Sequence, residues 1–545
     1  MKRLTFFVLL LLAAVANAPA CTNLIVGKNA SADGSTIVSY SADSYGLFGE
    51  LYHYPAGVHR KGTLIDIHEW DTGKYLGRIE QARQTYNVIG NMNEFQLTIG
   101  ETTFGGRPEL VDTTGIIDYG SLIYLGLQRS RTAREAIKVM TGLVQEYGYY
   151  SGGESFTIAD PNEIWIMEMI GKGSGVRGAV WIAVRVPDDC ISAHANQSRI
   201  HQFNMNDKEN CMYSPDVISF AREKGYFDGV NKDFSFANAY APLDFSARRY
   251  CEARVWSYFN MFTNRGNEFL PYILGENNTP MPLFLKPNRK ISVQDVKNAM
   301  RDHYEGTPLD ISKDFGAGPY HMPYRLSPLS FKVGDREYFN ERPISTQQSG
   351  FVFVAQMRSE LPDAIGGVLW FATDDANMTV FTPVYCCTDK VPTCYTRVDG
   401  ADYITFSWNS AFWIFNWVAN MVYPRYDLMI DDVRAAQTEL ETAFNNAQEG
   451  VEAAAARLLE KDSAKAKAFL TNYTNMTAES TFVTWKRLGE FLLVKYNDGV
   501  VKRMKDGKFE RNSIGQPAGV IRPGYPKAFL EEYVKQTGDR YKKPE

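Results

Sequence analysis

A chain of 545 residues, 44% hydrophobic and 22% charged, is long enough for one large domain with an appendage, or for two or three domains. A formal net charge of -5 leaves no basic footprint for a nucleic-acid partner, and beyond the first twenty residues no apolar run is long enough to span a bilayer. In chain order, Lys2 and Arg3 form a basic start and an apolar run follows from Leu4 to Val15, broken by Thr5. This pattern predicts a secretory leader over residues 1–20, and hence an exported chain, periplasmic or extracellular. A cut after Ala18 would place Pro19 just past the scissile bond, where its fixed φ and missing N–H fit badly. A cut after Ala20 avoids this and makes Cys21 the first residue. The competing pattern is a lipoprotein leader with Cys21 acylated, but that signal wants Leu where this chain has Ala18.

Thr22 to Val26 reads as a strand, Asp33-Gly34 as a turn, and Thr36 to Tyr40 as a second strand. Leu97 to Ile99 is a third, running into Gly100-Glu101-Thr102-Thr103-Phe104-Gly105-Gly106. Thr132-Ala133-Arg134-Glu135 spells a capping box. The helix it opens carries apolar residues at three- and four-residue spacing to Tyr147, with Gly148 as the stop. Strands are expected at 155–159, 163–169, 181–186, 190–195, 369–373 and 379–383. From about Asp427 to Tyr496 the spacing turns helical. The expected organisation is a leader over 1–20, a catalytic body over 21–400 and a mainly helical region over 401–545 packed on the body. Strands and helices in this mixture give a layered α/β or α+β body.

Seven cysteines are present, six besides Cys21. An exported chain can form disulfides, and Cys394 with Cys386 or Cys387 would close a short loop around Pro392. No CxxC pair exists and the seven histidines are scattered, so neither a metal site nor a cofactor is expected.

A first-residue cysteine carries a thiol and a free α-amine together. In model compounds the thiol titrates at about 8.5, the α-amine at about 7.7–8.0 and lysine at about 10.4, so the terminal amine suits a general base at neutral pH. It can take the thiol proton, directly or through one water, and later give it to a leaving amine. The product is a thioester that water hydrolyses. Its tetrahedral intermediates need donors aimed at the oxyanion, each worth about 3–4 kcal/mol.

The runs Cys21-Thr22-Asn23, Ala32-Asp33-Gly34-Ser35, the Asp43 region, Gly100 to Gly106 and Ala195-Asn196-Gln197 resemble the secreted bacterial cysteine dipeptidases of the N-terminal-nucleophile hydrolase superfamily. So do Arg248-Arg249-Tyr250, Ala253-Arg254-Val255-Trp256, Asp314 to Pro319 and Leu361 to Gly367. The likeness covers roughly residues 21 to 400 and continues weakly into the helical tail. It implies an α+β fold, an αββα sandwich with a C-terminal helical region, and hydrolysis of dipeptides or short peptides. Related bile-salt and penicillin amidases imply roles residue by residue. Asp43 would hold the terminal amine, Asn196 would serve the oxyanion hole, and Arg249 (or Arg248) would lie near the nucleophile. Thr103 occupies a second donor's place. The arginine those amidases carry on the second strand is missing here, with Tyr40 or Ser41 in its region.

Bland readings stand beside these. Asp43 equally caps a turn, Asn196 satisfies a strand end, and Thr103 is a structural hydroxyl. Arg248, Arg249, Arg254 and Arg199 form a solvated face or intrachain ion pairs, or one of them takes a substrate carboxylate bidentately. His194 suggests a Cys–His dyad but is better read as a satisfied core histidine. The catalytic candidates are therefore Cys21, Asp43, Asn196 and Arg249, and the substrate-binding candidates Thr103, Arg248 and Arg199. Short peptides are the expected partners, and oligomeric state stays open, a homo-oligomer included. The alternative functions are an N-acyl amide hydrolase of the same superfamily and a non-catalytic lipid-anchored binding protein.

Overall fold

The computed structural model describes residues 21–544; the leader expected over 1–20 lies outside them. In chain order the elements that frame the site begin with β1 (Asn23–Val26), β2 (Thr36–Asp43) and β3 (Thr98–Gly105). Then come α1 (Tyr119–Arg129), α2 (Ala133–Tyr147), β4 (Gly153–Ala159), β5 (Ile164–Gly171), β6 (Ala179–Arg185) and β7 (Ile191–His194). After α3 (Ala253–Phe262) follow β8 (Ser349–Met357), β9 (Val368–Thr373) and β10 (Thr382–Tyr385). Three helices follow: α4 (Ala411–Val422), α5 (Tyr426–Leu459) and α6 (Ser463–Tyr496).

The strands form two antiparallel sheets. The first has the order β7-β1-β2-β8-β9-β10. The second runs from Cys211–Tyr213 through β6, β5, β4 and β3 to the short strands Met92–Asn93, Val88–Ile89 and His53–Tyr54. The strands of both sheets are almost entirely buried, so their apolar runs need not alternate with polar residues: every residue of β2, β4, β5 and β8 is buried. That is what a sheet covered on both faces requires.

The two sheets lie face to face, β2 against β3 and β4. Helices α1 and α2 cover the outer face of the second sheet with their own apolar cluster, including Leu122, Ile137 and Met140 against Phe156, Trp165 and Met167. Helices α3 and α4 to α6 cover the first sheet. The result is a mixed α+β fold in αββα layers with a helical C-terminal region. Gly100 sets the close approach of β3 to the first sheet, because a Cβ there would sit 2.5 Å from Asn23 Oδ1 and 3.3 Å from Tyr40 Cβ.

Only half of the expected capping box forms: Thr132 accepts from Glu135 N, but the Glu135 carboxylate accepts from Arg131 N at 2.8 Å and not from Thr132 N, and Gly148 ends α2 at φ +79°. The strand expected at 379–383 starts three residues later. The Thr379 carbonyl is taken by Arg301 Nη2 at 3.2 Å and Gln437 Nε2 at 2.8 Å, so it has no strand neighbour. The disulfide expected for Cys394 is not there; all seven cysteines are free thiols. Cys386 Sγ donates to the Asp363 carbonyl at 3.0 Å while Cys394 faces Glu479, so the thiols turn to different partners. Among the described residues no helix is long and apolar enough to cross a membrane.

Candidate active site

Cys21 lies two residues before β1, and Thr22 between them bridges to Ser41 of β2. The cysteine is 2% exposed and lines a cavity of about 730 Å3. Tyr40 and Asp43 of β2, Trp70, Tyr119 and Tyr124, and Arg397, Tyr403 and Ile404 also line it.

The side chains touching the sulfur come from two sheets. Cys21 Sγ donates to Glu101 Oε1 at 3.3 Å, and Tyr40 OH, 3.7 Å from Sγ, donates to the same carboxylate oxygen at 2.6 Å. Asn23 Nδ2 ties β1 to β3 by donating to the Glu101 carbonyl at 2.6 Å. Burial, and then the charges of Glu101 and Asp43, push the Cys21 thiol well above its usual range, while the Asp43 backbone N–H and Tyr40 act the other way. The resting nucleophile is therefore a neutral thiol hydrogen-bonded to a carboxylate.

Glu101 has an acidic neighbour. Residues 101 and 103 share a face of β3 because side chains alternate along a strand. Thr103 is paired across the ladder with Glu154 of β4, which makes Glu101 and Glu154 diagonal neighbours. Thr103 Oγ1 donates to Glu154 Oε1 at 2.7 Å, while Glu101 Oε2 and Glu154 Oε2 are buried without a hydrogen-bond donor. Burial raises Glu101 to about 7 and, with Glu101's charge adding to it, raises Glu154 further, so Glu154 is the stronger proton holder of the two.

Asp43 ends β2 as a buried carboxylate. Its Oδ2 accepts from Arg342 Nη2 at 2.8 Å and Ser41 Oγ at 3.1 Å, and its Oδ1 from Ser349 Oγ at 2.6 Å. Burial raises its pKa and Arg342 opposes that rise. Asn196 follows β7 at φ +62°, a left-handed conformation that Asn tolerates better than most residues. Its Oδ1 accepts from Arg254 Nη2 at 2.9 Å and its Nδ2 donates to the Thr103 carbonyl at 2.8 Å.

Arg254, on α3, joins these groups. Its Nη1 donates to the Cys21 carbonyl at 2.5 Å and Thr22 Oγ1 at 2.7 Å, its Nη2 also to the Ala195 carbonyl at 3.0 Å, and its Nε to the Tyr250 carbonyl at 2.7 Å. Burial lowers its pKa to about 10, which leaves it charged at neutral pH.

Of the residues singled out in the sequence, the structure thus gathers Cys21, Asp43 and Asn196. Arg249 lies elsewhere, in the π-helical turn Ala247–Glu252, paired with Glu341 and set over the Phe339 ring at 4.8 Å. The guanidinium at the nucleophile is that of Arg254. Arg199 is buried in an ion pair with Glu252 at 2.9 Å and donates to the Ala193 and Pro282 carbonyls. Arg248 reaches Asn278 Oδ1 at 2.6 Å and lines a different, smaller cavity with His201 and Glu252. The Thr103 hydroxyl is engaged by Glu154. His194 sits between Thr102 Oγ1 at 2.7 Å and Thr157 Oγ1 at 2.6 Å, and burial lowers its pKa to about 3. It is a neutral, satisfied core histidine. Glu101, Glu154 and Arg342 were not singled out from the sequence. Among the described residues no group of three or more His, Cys, Asp or Glu is arranged to hold a metal ion.

Comparison with known proteins places this geometry in context. A family model described as peptidase family C69 matches residues 20–53 and 48–439. A probable dipeptidase of Salmonella dublin is 31% identical over 386 residues, covering 67% of this chain and 81% of the relative. A probable dipeptidase of Latilactobacillus sakei is 26% identical over 474 residues, covering 83% and 90%. Dipeptidase A of Lactobacillus helveticus is 24% identical over 453 residues, covering 78% and 84%.

Proposed function

The chain belongs to peptidase family C69 and is a hydrolase of the cysteine dipeptidase type, and from that premise we propose that it is exported, begins with Cys21 once residues 1–20 are removed, and cuts dipeptides through a thioester on that residue. The observation that carries this reading is the placement of Cys21. It stands two residues ahead of the first strand and lines the main cavity, with a buried guanidinium on its carbonyl.

In this mechanism the α-amine freed by leader removal takes the thiol proton. The S–H electron pair stays on sulfur, which bonds the scissile carbonyl carbon while the carbonyl π pair moves to oxygen. Asn196, positioned by Arg254, supplies an N–H donor to that oxyanion. Collapse breaks the C–N bond, and the leaving nitrogen takes the proton back from the terminal ammonium. Water then attacks the thioester by the same route and releases the thiol. Asp43, held by Arg342, Ser41 and Ser349, orients the terminal amine.

Intact-mass analysis of the exported protein tests the start site, with a chain beginning at unmodified Cys21 as the expected result. Cys21→Ala is expected to abolish dipeptide hydrolysis with thermal stability little changed, and Cys21→Ser to retain slow turnover because the hydroxyl is the poorer nucleophile. Full activity of the Ala variant, a lipid-capped Cys21, or full activity after selective acetylation of the terminal amine would each overturn the mechanism.

A further inference from the structure

A buried carboxylate 3.3 Å from the attacking sulfur is a liability for the chemistry just described, because it disfavours the thiolate. The same carboxylate is short of positive charge. Its Oε1 accepts from Tyr40 and Cys21, its Oε2 is buried with no hydrogen-bond donor, and among the described residues no Lys or Arg forms an ion pair with it. The other groups facing it are acids and phenols, namely Asp71, Tyr119 and Tyr149. Burial holds Glu101 at about 7 and Glu154 higher still, so around and above neutral pH the pair carries a negative charge that no Lys or Arg side chain among the described residues meets. Burying such a charge is unfavourable unless a cation meets it during function.

The reading above names a substrate that brings one. In a dipeptide the α-ammonium nitrogen is two bonds, about 2.5 Å, from the scissile carbonyl carbon. That carbon lies about 3–3.5 Å from the sulfur in a reactive complex. Glu101 Oε1, 3.3 Å from Sγ, is a carboxylate oxygen beside the place where the ammonium arrives. When the thiol gives up its proton, Oε1 loses a donor, and an ammonium N–H can replace it.

We propose that Glu101, with Glu154 as its protonated partner, is the anchor for the substrate's α-ammonium and imposes a free amino terminus one residue before the cut bond. The inference rests on the Cys21 thioester reading and adds what restricts it to dipeptides. An acyl residue extended at its nitrogen offers no cation at this point and leaves the Glu101 charge buried and unpaired. The bound ammonium also offsets the repulsion that raises the thiol, so the nucleophile becomes reactive once the right substrate is seated.

The test compares kcat/KM for a dipeptide, its N-acetyl derivative and its desamino analogue in wild type and Glu101→Gln. Wild type is expected to prefer the free amine by on the order of 10³-fold or more, as a site built around a polar group rejects an analogue lacking it. In Glu101→Gln that preference should fall below about tenfold through a raised KM for the dipeptide, and iodoacetamide should alkylate Cys21 faster at pH 7 because the adjacent charge is gone. Glu101→Asp keeps the charge one methylene short. It should keep the preference at a higher KM, and it decides the matter if the Gln variant does not fold. Equal losses on all three substrates with the preference intact, or a wild type indifferent to the amino group, would sink the anchor while leaving a Cys21-dependent enzyme. Hydrolysis that survives Cys21→Ala would instead sink the thioester reading.

Discussion

Every N–H group of Arg254 that could donate is aimed at the surroundings of the nucleophile or at its own helix: two backbone carbonyls, the Thr22 hydroxyl, Asn196 Oδ1 and the Tyr250 carbonyl. A lysine has one ammonium and cannot span these acceptors. Arg254→Lys is expected to lower kcat by about 10²–10³-fold, the loss typical of removing a preorganised donor network, with KM shifted only a few-fold. Steady-state kinetics on a dipeptide check this, and a wild-type kcat would remove Arg254 from the site. The contrast with Arg249 shows what a sequence conveys at this scale. Both arginines lie in one run of helix-forming residues, and which one faces β1 depends on the π-helical turn at Ala247–Glu252 that leads into α3. No spacing rule announces such a turn. Cys21 was legible because leader chemistry marks it, and Asp43 and Asn196 because a family likeness did. Glu101 stood inside a quoted run without a role. Its signal was an acid in a strand next to Gly100, but its pairing with Glu154 exists only through the register of β3 on β4.

At the level of elements, periodicity and caps conveyed most of the frame. Thr132 and Gly148 bound α2 because one supplies a side-chain acceptor and the other a positive φ. Most strands of the central sheets were legible as apolar runs, but β8, in the middle of the first sheet, was not expected, and strand ends slipped where side chains captured backbone groups, as at Thr379. Beyond the apolar packing of these helices, the ion pairs that fix α5 on the body were not legible, since they join residues remote in sequence. Glu441 of α5 accepts from Arg301 Nη2 at 2.5 Å and Nη1 at 3.2 Å, from Gln294 at 2.9 Å and from the Phe381 N–H at 3.1 Å. Burial would raise this carboxyl, but Arg301 and Lys297 outweigh it and hold it at about 2. Lys297 lies 3.4 Å over the Trp370 ring with no hydrogen-bond acceptor of its own, so Glu441 is the counter-charge for two buried cations. Glu441→Ala should cost about 3–5 kcal/mol of stability, as losing one member of a buried ion pair does. Denaturant unfolding checks the loss, and KM for a dipeptide should stay the same because α5 is remote from Cys21. An unchanged midpoint would show that α5 is held by apolar packing alone.

Across the whole molecule, buried ionisable groups set how stability responds to pH, and their signs can be worked out. Burial raises Glu168 and Asp302 to about 7 and Asp374 to about 8, against ordinary values near 4. From about pH 4.5 to 7 the folded protein keeps protons on these acids that the unfolded chain has released. The folded state binds more protons, so stability falls as pH rises through this window. Glu154, which holds its proton beside Glu101, acts in the same direction. Two imidazoles act the other way: burial lowers His194 to about 3 and His201 to about 4, so the unfolded chain is the better proton binder up to its ordinary value near 6.5. Glu101 at about 7 and Asp71 at about 6 add to these acids, and His303, whose burial is outweighed by Glu305 so that its pKa rises, acts in the same direction, so the two lowered imidazoles are outweighed and the net trend is a fall towards 7. Above 7 the trend flattens, because Lys297, lowered by burial to about 7, is neutral in the fold and charged when unfolded, which favours the folded state as pH rises. Below about 4 stability declines again as Glu305 and Glu441, both held near 2, take up protons and lose their partners. The melting temperature at constant ionic strength should therefore peak near pH 4–5, fall towards 7 and level off. A melting temperature that climbs steadily from pH 5 to 7 would mean that these acids reach water or a cation in the folded state.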